Sequence, residues 1–117
     1  MKMKEIELMK LAVDTWGQAL QLVMVCEETA ELQKEVCKIL RGDWSSGRMD
    51  SLASEIADCR LMLSQLEMMC GVKAKVESET QIKLMRLEKR LLLSMSPEKR
   101  RPILEKSVKE FKRVKSE

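Results

Sequence analysis

Histidine is absent from this chain of 117 residues, and aromatic side chains are scarce, with two Trp, one Phe and no Tyr. Without histidine, Ser-His-Asp catalysis, Cys-His catalysis and every metal site that depends on imidazole are excluded. The four glycines form neither a G-x-G-x-x-G fingerprint nor a phosphate-binding P-loop. Any catalysis must therefore use carboxylates, lysine, arginine or a bound metal ion. The core must consist of Leu, Met, Val, Ile and Ala, of which Leu, Met and Ala favour helix.

Long apolar runs are also missing, because no segment approaches the roughly 20 residues that span a bilayer. The N-terminal segment MKMKEIELMK carries acidic residues too early for a secretory signal. The four cysteines lie far apart without a C-x-x-C pair, which favours reduced and mostly buried thiols: Cys26, Cys37, Cys59 and Cys70. We therefore expect a cytoplasmic protein with no membrane partner.

Five helices are predicted from the spacing of the apolar residues. They cover residues 4–15, 18–40, 49–69, 73–93 and 97–114, and no strand pattern competes with them. Residues 41–47 have the composition of a turn, Gly71 is placed to end the third helix, and Ser96 is placed as an N-cap before Pro97. Short connections favour antiparallel neighbours, so we expect an all-α bundle with an antiparallel central pair. Helices two and three are expected to pack through Met24, Leu32, Leu52, Met62 and Leu66.

Charge is distributed unevenly along the chain. Residues 97–117 hold eight Lys/Arg and four Glu, whereas residues 1–96 hold fourteen Lys/Arg and fifteen Asp/Glu. We expect residues 1–96 to form the main domain and residues 97–117 to form a basic helix that docks through Leu104, Val108 and Phe111. The first half of helix two is apolar nearly all round. One layer of helices does not cover such a surface, so we expect a homodimer or homotetramer.

Two pairs of carboxylates with i, i+3 spacing lie on consecutive helices. At about 100° per residue, Glu28 and Glu31 share the apolar face of helix two with Glu35, and Glu55 and Asp58 lie on the apolar face of helix three. Unpaired carboxylates on a buried face repel one another, so either Lys/Arg side chains or a divalent cation must lie among them. Isolated pairs of this kind are common on salt-bridged helix surfaces. For a cation, the all-oxygen donor set favours Mg²⁺.

The segment CEETAEL at residues 26–32, followed by EIAD at residues 55–58, resembles a family signature. It is similar to the E-E-x-x-E … E-x-x-D pattern of MazG-like nucleoside triphosphate pyrophosphohydrolases, which belong to the all-α NTP pyrophosphatase superfamily. The resemblance covers about residues 14–90 and excludes the basic tail. It implies a MazG-like helical bundle with a Mg²⁺-dependent hydrolase activity, in which Mn²⁺ can take the place of Mg²⁺. The reaction it implies cleaves a nucleoside triphosphate between the α and β phosphates, giving a nucleoside monophosphate and pyrophosphate.

The resemblance also implies roles for individual carboxylates. The magnesium ligands would be four residues: Glu28, Glu31, Glu55 and Asp58. Glu27 and Glu28 are the candidate catalytic carboxylates. Because Glu27 points off the ligand face, support of the neighbouring helix is an alternative to proton acceptance.

Substrate-binding residues follow from the same resemblance. Lys83 and Arg86 would meet the phosphate charge, although ordinary surface charge is the alternative for both. Gln21 matches the family's approach to helix two, and Trp44 is the candidate to lie over the base. Trp16, near the start of helix two, is a second candidate for the base pocket. Either tryptophan could instead be part of the core, which we expect for Trp16.

One departure from the family pattern leaves the number of metal ions and the base specificity open. Many relatives carry an acid or Asn soon after E-x-x-D, whereas Cys59 and Arg60 follow here. Two other functions also stay open, namely a non-catalytic metal-binding scaffold or regulator and a helical nucleic-acid-binding protein that uses residues 97–117. The basic tail lacks interleaved aromatic residues, so nucleic acid is not the expected partner. Cleaning and control of the nucleotide pool both fit the implied activity.

Overall fold

The computed structural model describes residues 3–116. Met1 and Lys2, from the N-terminal segment, and Glu117, from the basic tail, lie outside the described residues. Five helices make up the fold: α1 Glu5–Trp16, α2 Gln18–Leu40, α3 Ser46–Cys70, α4 Lys73–Ser94 and α5 Pro97–Ser116. No strand occurs within residues 3–116, which confirms the all-α prediction. Over the same residues, no helix has both the length and the apolar character needed to cross a membrane.

Local sequence signals set most helix ends where they were predicted. Gly71 adopts the left-handed conformation, with φ +66°, directly after α3, and the Val72 N–H donates to the Glu67 carbonyl at 3.0 Å. This is the hydrogen-bonding pattern of a glycine C-cap. At the start of α5 the Ser96 hydroxyl accepts from the Lys99 N–H at 3.4 Å, which confirms the N-cap before Pro97.

The predicted start of the third helix at residue 49 is wrong by one helical turn. The α3 helix begins at Ser46, because the Ser45 hydroxyl caps it by accepting a hydrogen bond from the Arg48 N–H at 3.3 Å. Asp43 in turn accepts from the Ser45 N–H at 3.1 Å and holds the cap residue in place. The connection between α2 and α3 is therefore only residues 41–45.

The chain divides into two compact units, with the boundary between Val76 and Glu77 inside α4. In the first unit α2 packs along α3, and α1 contacts both helices. The second unit contains the remainder of α4 and all of α5. The domain boundary expected at residue 97 stays a prediction.

The central pair is antiparallel, as predicted. Three contacts along its length join Gln21 to Gln65, Glu28 to Cys59, and Glu35 to Arg48. Residue numbers rise along α2 as they fall along α3, so the two helices run in opposite directions. The five apolar side chains expected between them are all half-buried: Met24, Leu32, Leu52, Met62 and Leu66.

Buried side chains are rare in this fold. Within residues 3–116 the only buried apolar side chain is Cys59, and the other buried residues are Gln21, Glu35 and Gln65. The expectation of mostly buried thiols is wrong, because three of the four cysteines are exposed: Cys26, Cys37 and Cys70. Cys26 and Cys37 lie on the side of α2 that faces away from α3, and both are exposed.

An ion-pair network joins the last turns of α2 to the first turn of α3. Arg48 on α3 contacts the Glu35 carboxylate at 2.5 Å and the Asp43 carboxylate at 3.1 Å, and Lys38 lies 3.2 Å from Glu35. The hydrogen bond from Arg48 is the main reason that the pKa of the Glu35 carboxyl lies below its ordinary value. A buried carboxylate with two cationic partners therefore fixes the connection between the helices.

The buried amide pair makes a testable prediction about the α2–α3 contact. The Gln65 amide donates to the Gln21 carbonyl oxygen between the helices. A Gln21→Met variant should lower the free energy of unfolding by about 1–3 kcal/mol, because it leaves the buried Gln65 amide without a partner. The double variant Gln21→Met/Gln65→Met should recover most of that loss in urea unfolding. Additive losses in the double variant would contradict the pairing.

Candidate metal centre

Three carboxylates converge near the middle of the antiparallel pair. One oxygen each from Glu28, Glu55 and Asp58 lies within 4.8 Å of the other two. Glu28 and Glu55 are half-buried, and Asp58 lies exposed at the edge. The i, i+3 spacing puts Glu55 and Asp58 on one side of α3, and the antiparallel packing brings Glu28 opposite them. We refer to these three residues as the carboxylate cluster.

The fourth expected ligand, Glu31, does not join the carboxylate cluster in this structure. Its side chain is exposed and lies 3.7 Å from the Lys34 ammonium in a surface ion pair. Glu27, the second candidate catalytic carboxylate, is also exposed. The roles of Glu31 and Glu27 stay predictions.

The carboxylates of the cluster repel one another, and the pKa of Glu28 reflects this repulsion. Partial burial is the largest reason that the pKa of the Glu28 carboxyl is raised, and repulsion from Asp58 and Glu55 raises it further. Glu31 and Glu27 add to the same negative potential. Ionisation of Glu28 is therefore less favourable than that of an ordinary glutamate, and a nearby cation would offset the difference.

Within residues 3–116, α2 and α3 do not supply that cation. The ion pairs found on these helices and their connection involve Glu31, Glu35 and Asp43, and none of them involves the carboxylate cluster. In addition, the Oε2 atom of Glu55 is buried without a hydrogen-bond partner. A buried and unpartnered carboxylate oxygen beside two further carboxylates is a donor set that a hard divalent cation can use. The residues present therefore fit Mg²⁺.

Cys59 holds the two helices together at the level of the cluster. Its buried thiol donates to the backbone carbonyl of Glu28 at 3.1 Å. Burial, followed by repulsion from Glu28, Glu55 and Asp58, raises the pKa of the Cys59 thiol, so the proton needed for this hydrogen bond stays in place. Sequence reasoning treated Cys59 only as a buried thiol, because its contact on α2 is 31 residues away along the chain.

An apolar pocket lies next to the carboxylate cluster in the first unit. It has a volume of about 310 Å³ and is lined by Trp16, Leu20, Gln21, Met24 and Met62. Met24 precedes Glu28 by four residues on α2, and Met62 follows Asp58 by four residues on α3. The pocket therefore lies about one helical turn, roughly 5.4 Å, from the cluster along both helices.

The two tryptophans do not occupy their expected places. Trp16 was expected in the core, but its side chain is 62% exposed and forms a wall of the apolar pocket. The reason is that Trp16 is the last residue of α1, directly before Gly17, which takes φ +85° as the chain turns into α2. Trp44, the candidate to lie over the base, is 71% exposed in the connection after α2 and does not line this pocket. Gln21 lines the pocket, and its side-chain oxygen is bonded to Gln65.

The expected phosphate-binding cations lie in the second unit. Lys83 and Arg86 are exposed on α4, and with Lys89 and Arg90 they line a groove of about 530 Å³. A groove lined by four cations suits an anionic ligand. The roles of Lys83 and Arg86 towards phosphate stay predictions.

Comparison of the chain with protein-family models, curated proteins and solved structures finds no match. The function is therefore inferred from the chemistry of the site and from the motif at residues 26–32 and 55–58.

The opposite environments of Glu28 and Glu35 predict opposite effects on stability. The raised pKa of Glu28 means that its ionisation opposes folding, so this carboxyl lowers stability as the pH rises from its ordinary value of 4.5 through the raised pKa. Glu35 has a lowered pKa, so its contribution is present above 4.5 and is lost as the pH falls through the lowered pKa. At neutral pH without divalent cation, Glu28→Gln should raise the melting temperature and Glu35→Gln should lower it.

Addition of Mg²⁺ completes this test. Mg²⁺ should raise the melting temperature of the wild type and of Glu35→Gln, and should do so much less for Glu28→Gln. A loss of stability in cation-free Glu28→Gln would show instead that Glu28 has a structural partner.

Proposed function

We propose that this protein is a Mg²⁺-dependent nucleoside triphosphate pyrophosphohydrolase, which hydrolyses the bond between the α and β phosphates to release a nucleoside monophosphate and pyrophosphate. The observation that carries the proposal is the meeting of Glu28, Glu55 and Asp58 without a Lys or Arg partner on the described α2 and α3. These are the positions that the resemblance to MazG-like enzymes marks as metal ligands. The buried, unpartnered oxygen of Glu55 supports the same assignment.

The carboxylate cluster would hold the metal, with Glu55 on its buried side and Asp58 on its solvent side. When bound, Mg²⁺ supplies charge neutralisation at the phosphate oxygens and lowers the pKa of the attacking water. Glu31 is the proposed fourth ligand, because the exposed ion pair that occupies it in this structure costs little to break. Glu27 and Glu28 are the proposed catalytic carboxylates. For Glu27, support of the neighbouring helix is the alternative to accepting the proton from water.

The apolar pocket is the proposed site for the base. Its walls include Trp16, which can stack on a base, and Gln21, which adds an amide at the wall of the pocket. A position one helical turn from the cluster suits a ligand with a charged end and a flat apolar end. Trp44 is the alternative stacking residue, and either assignment can be tested by substitution.

Lys83 and Arg86 are the proposed partners of the remaining phosphate charge. The groove that they share with Lys89 and Arg90 supports this assignment. Use of Mn²⁺ in place of Mg²⁺, a cytoplasmic location and a homodimeric or homotetrameric state complete the proposal.

The carboxylate cluster predicts the outcome of a pyrophosphate-release assay across standard and modified (d)NTPs, with and without Mg²⁺. Glu28→Gln and Asp58→Asn each remove one charge from the proposed ligand set, so turnover should fall by about 10²–10³-fold. Glu35→Gln is the matched control on the same face of α2. Assayed well below its melting temperature, it should keep most of the wild-type turnover, because Glu35 is paired with Arg48 and lies outside the cluster.

The turnover assay, together with measurements of Mg²⁺ binding and nucleic-acid binding, separates the proposal from the two other functions. Mg²⁺ binding without turnover of any (d)NTP would support a metal-binding scaffold. Salt-dependent binding of nucleic acid that is lost on deletion of residues 97–117 would support the nucleic-acid-binding alternative. Wild-type turnover in Glu28→Gln and Asp58→Asn would show that the carboxylates are structural.

The apolar pocket predicts a change in substrate binding with little change in chemistry. Stacking of a base on an aromatic ring contributes about 1–3 kcal/mol, so Trp16→Ala should raise KM by about 5–150-fold and leave kcat nearly unchanged. Trp44→Ala is the matched control and should leave KM unchanged. The reverse result would show that the base binds at the connection between α2 and α3 and not in the pocket.

A further inference from the structure

A groove lies between the end of α4 and the start of α5, within the second unit. The two helices are joined there by Met95 and Ser96 alone. The groove has a volume of about 610 Å³, which falls within the range of small-molecule sites, about 300–1,000 Å³. We call it the α4–α5 groove, and four apolar side chains line it: Met85, Leu92, Leu93 and Leu104.

The α4–α5 groove includes the best-covered part of the second unit. Within residues 77–116 the only residues that are not exposed are Leu92, Met95 and Arg100, and Leu92 and Arg100 both line the groove. Arg100 and Leu104 are four residues apart on α5, so their side chains lie on the same side of that helix. Leu93 is 65% exposed and Leu104 is 44% exposed. The apolar walls are therefore open to a ligand.

Arg100 is held at the groove with an unused hydrogen-bond donor. Its Nη2 donates to the backbone carbonyl of Met95, the residue directly after α4, at 3.0 Å. This hydrogen bond ties the first turn of α5 to the end of α4 and orients the guanidinium. The Nε atom of the same group is buried and has no hydrogen-bond partner. An unpartnered N–H in a buried position is unfavourable, and a carboxylate is among the strongest acceptors that could satisfy it.

The charges around the groove favour an anionic ligand with an apolar body. Arg86 and Lys89 line it together with Arg100, and Glu88 is the one acid among the lining residues. A small hydrophilic anion would leave the apolar walls uncovered. A nucleic acid would place phosphates against those walls, where they would have no partner. A ligand with one anionic end and a long apolar chain matches both parts of the lining.

We propose that the α4–α5 groove binds a fatty acid, with the alkyl chain along Leu92, Leu93 and Leu104 and the carboxylate at Arg100. Burial of the alkyl chain supplies affinity, and the guanidinium, whose planar shape matches a carboxylate, selects the anionic end. The site uses only residues of the second unit. This inference does not depend on the proposed enzymatic activity.

Calorimetric titration of the full chain with dodecanoate, below the concentration at which it forms micelles, tests the site. We expect saturable binding of one molecule per chain. Dodecyltrimethylammonium has the same alkyl chain with a positive end, and acetate has the carboxylate without the chain, so neither should bind. This comparison uses the wild type alone and does not depend on the folding of any variant. Absence of saturable dodecanoate binding, or equal binding of dodecyltrimethylammonium, would overturn the proposal.

Two pairs of variants, each checked for helical circular dichroism, locate the site. Arg100→Gln should weaken dodecanoate binding by about 10–150-fold, the loss typical of a hydrogen bond to a charged group. Leu104→Ala should weaken it several-fold, because it removes part of the apolar wall. The matched controls Arg101→Gln and Val108→Ala change exposed residues of the same helix that do not line the groove, and should leave the affinity unchanged.

Equal losses in the control variants would show that dodecanoate binds the basic helix without a defined site, and would overturn the proposal. Binding to vesicles of anionic phospholipid without binding of monomeric dodecanoate would assign the groove to a membrane surface and would likewise overturn it. Dodecanoate binding that appears only on dilution to monomer would show that a second copy fills the groove, with the same consequence.

Discussion

Electrostatic repulsion among Glu28, Glu55 and Asp58 has to be overcome by the packing of the rest of the first unit. Packing α2 against α3 brings these carboxylates within 4.8 Å of one another, partly away from water. The half-buried apolar side chains between the helices and the Cys59 thiol, bonded to the Glu28 carbonyl, resist their separation. The fold therefore stabilises an arrangement of charge that is unfavourable by itself, and a divalent cation would remove that cost. Sites that bind metal for catalysis commonly combine a rigid scaffold with ligands that repel one another until the metal is present.

Glu28 and Glu35 show how strongly the partner determines the behaviour of a carboxylate. The two residues lie two turns apart on the same face of α2. Glu35 is the more deeply buried, yet its pKa is lowered because Arg48 and Lys38 contact it. The pKa of Glu28 is raised, first by partial burial and then by repulsion from the neighbouring carboxylates. Depth of burial alone therefore does not set the direction of the pKa shift at these two residues, because the charge of the neighbouring side chains also contributes.

The two faces of α2 differ in charge. The face towards α3 carries the buried and half-buried acids, and the apolar pocket begins one turn away from them. The opposite face carries no Asp, Glu, Lys or Arg and is exposed. Few side chains among residues 3–76 are buried, so the described part of the first unit has little core.

The amino-acid sequence by itself determined the helical class, the helix ends marked by Gly71 and Ser96, and the faces of α2 and α3 that meet. These features depend on local backbone conformation and on a repeat of 3.6 residues, which are encoded by neighbouring residues. The tertiary structure decided which carboxylates meet, because helical periodicity sets a direction around one axis and leaves open the distance and register between two axes. Glu31 satisfies the periodicity as well as Glu28 does, but it lies beside Lys34 at the surface. Arg48 was likewise placed by its contact with Glu35, 13 residues earlier in the chain, and no periodic pattern within one helix encodes such a contact.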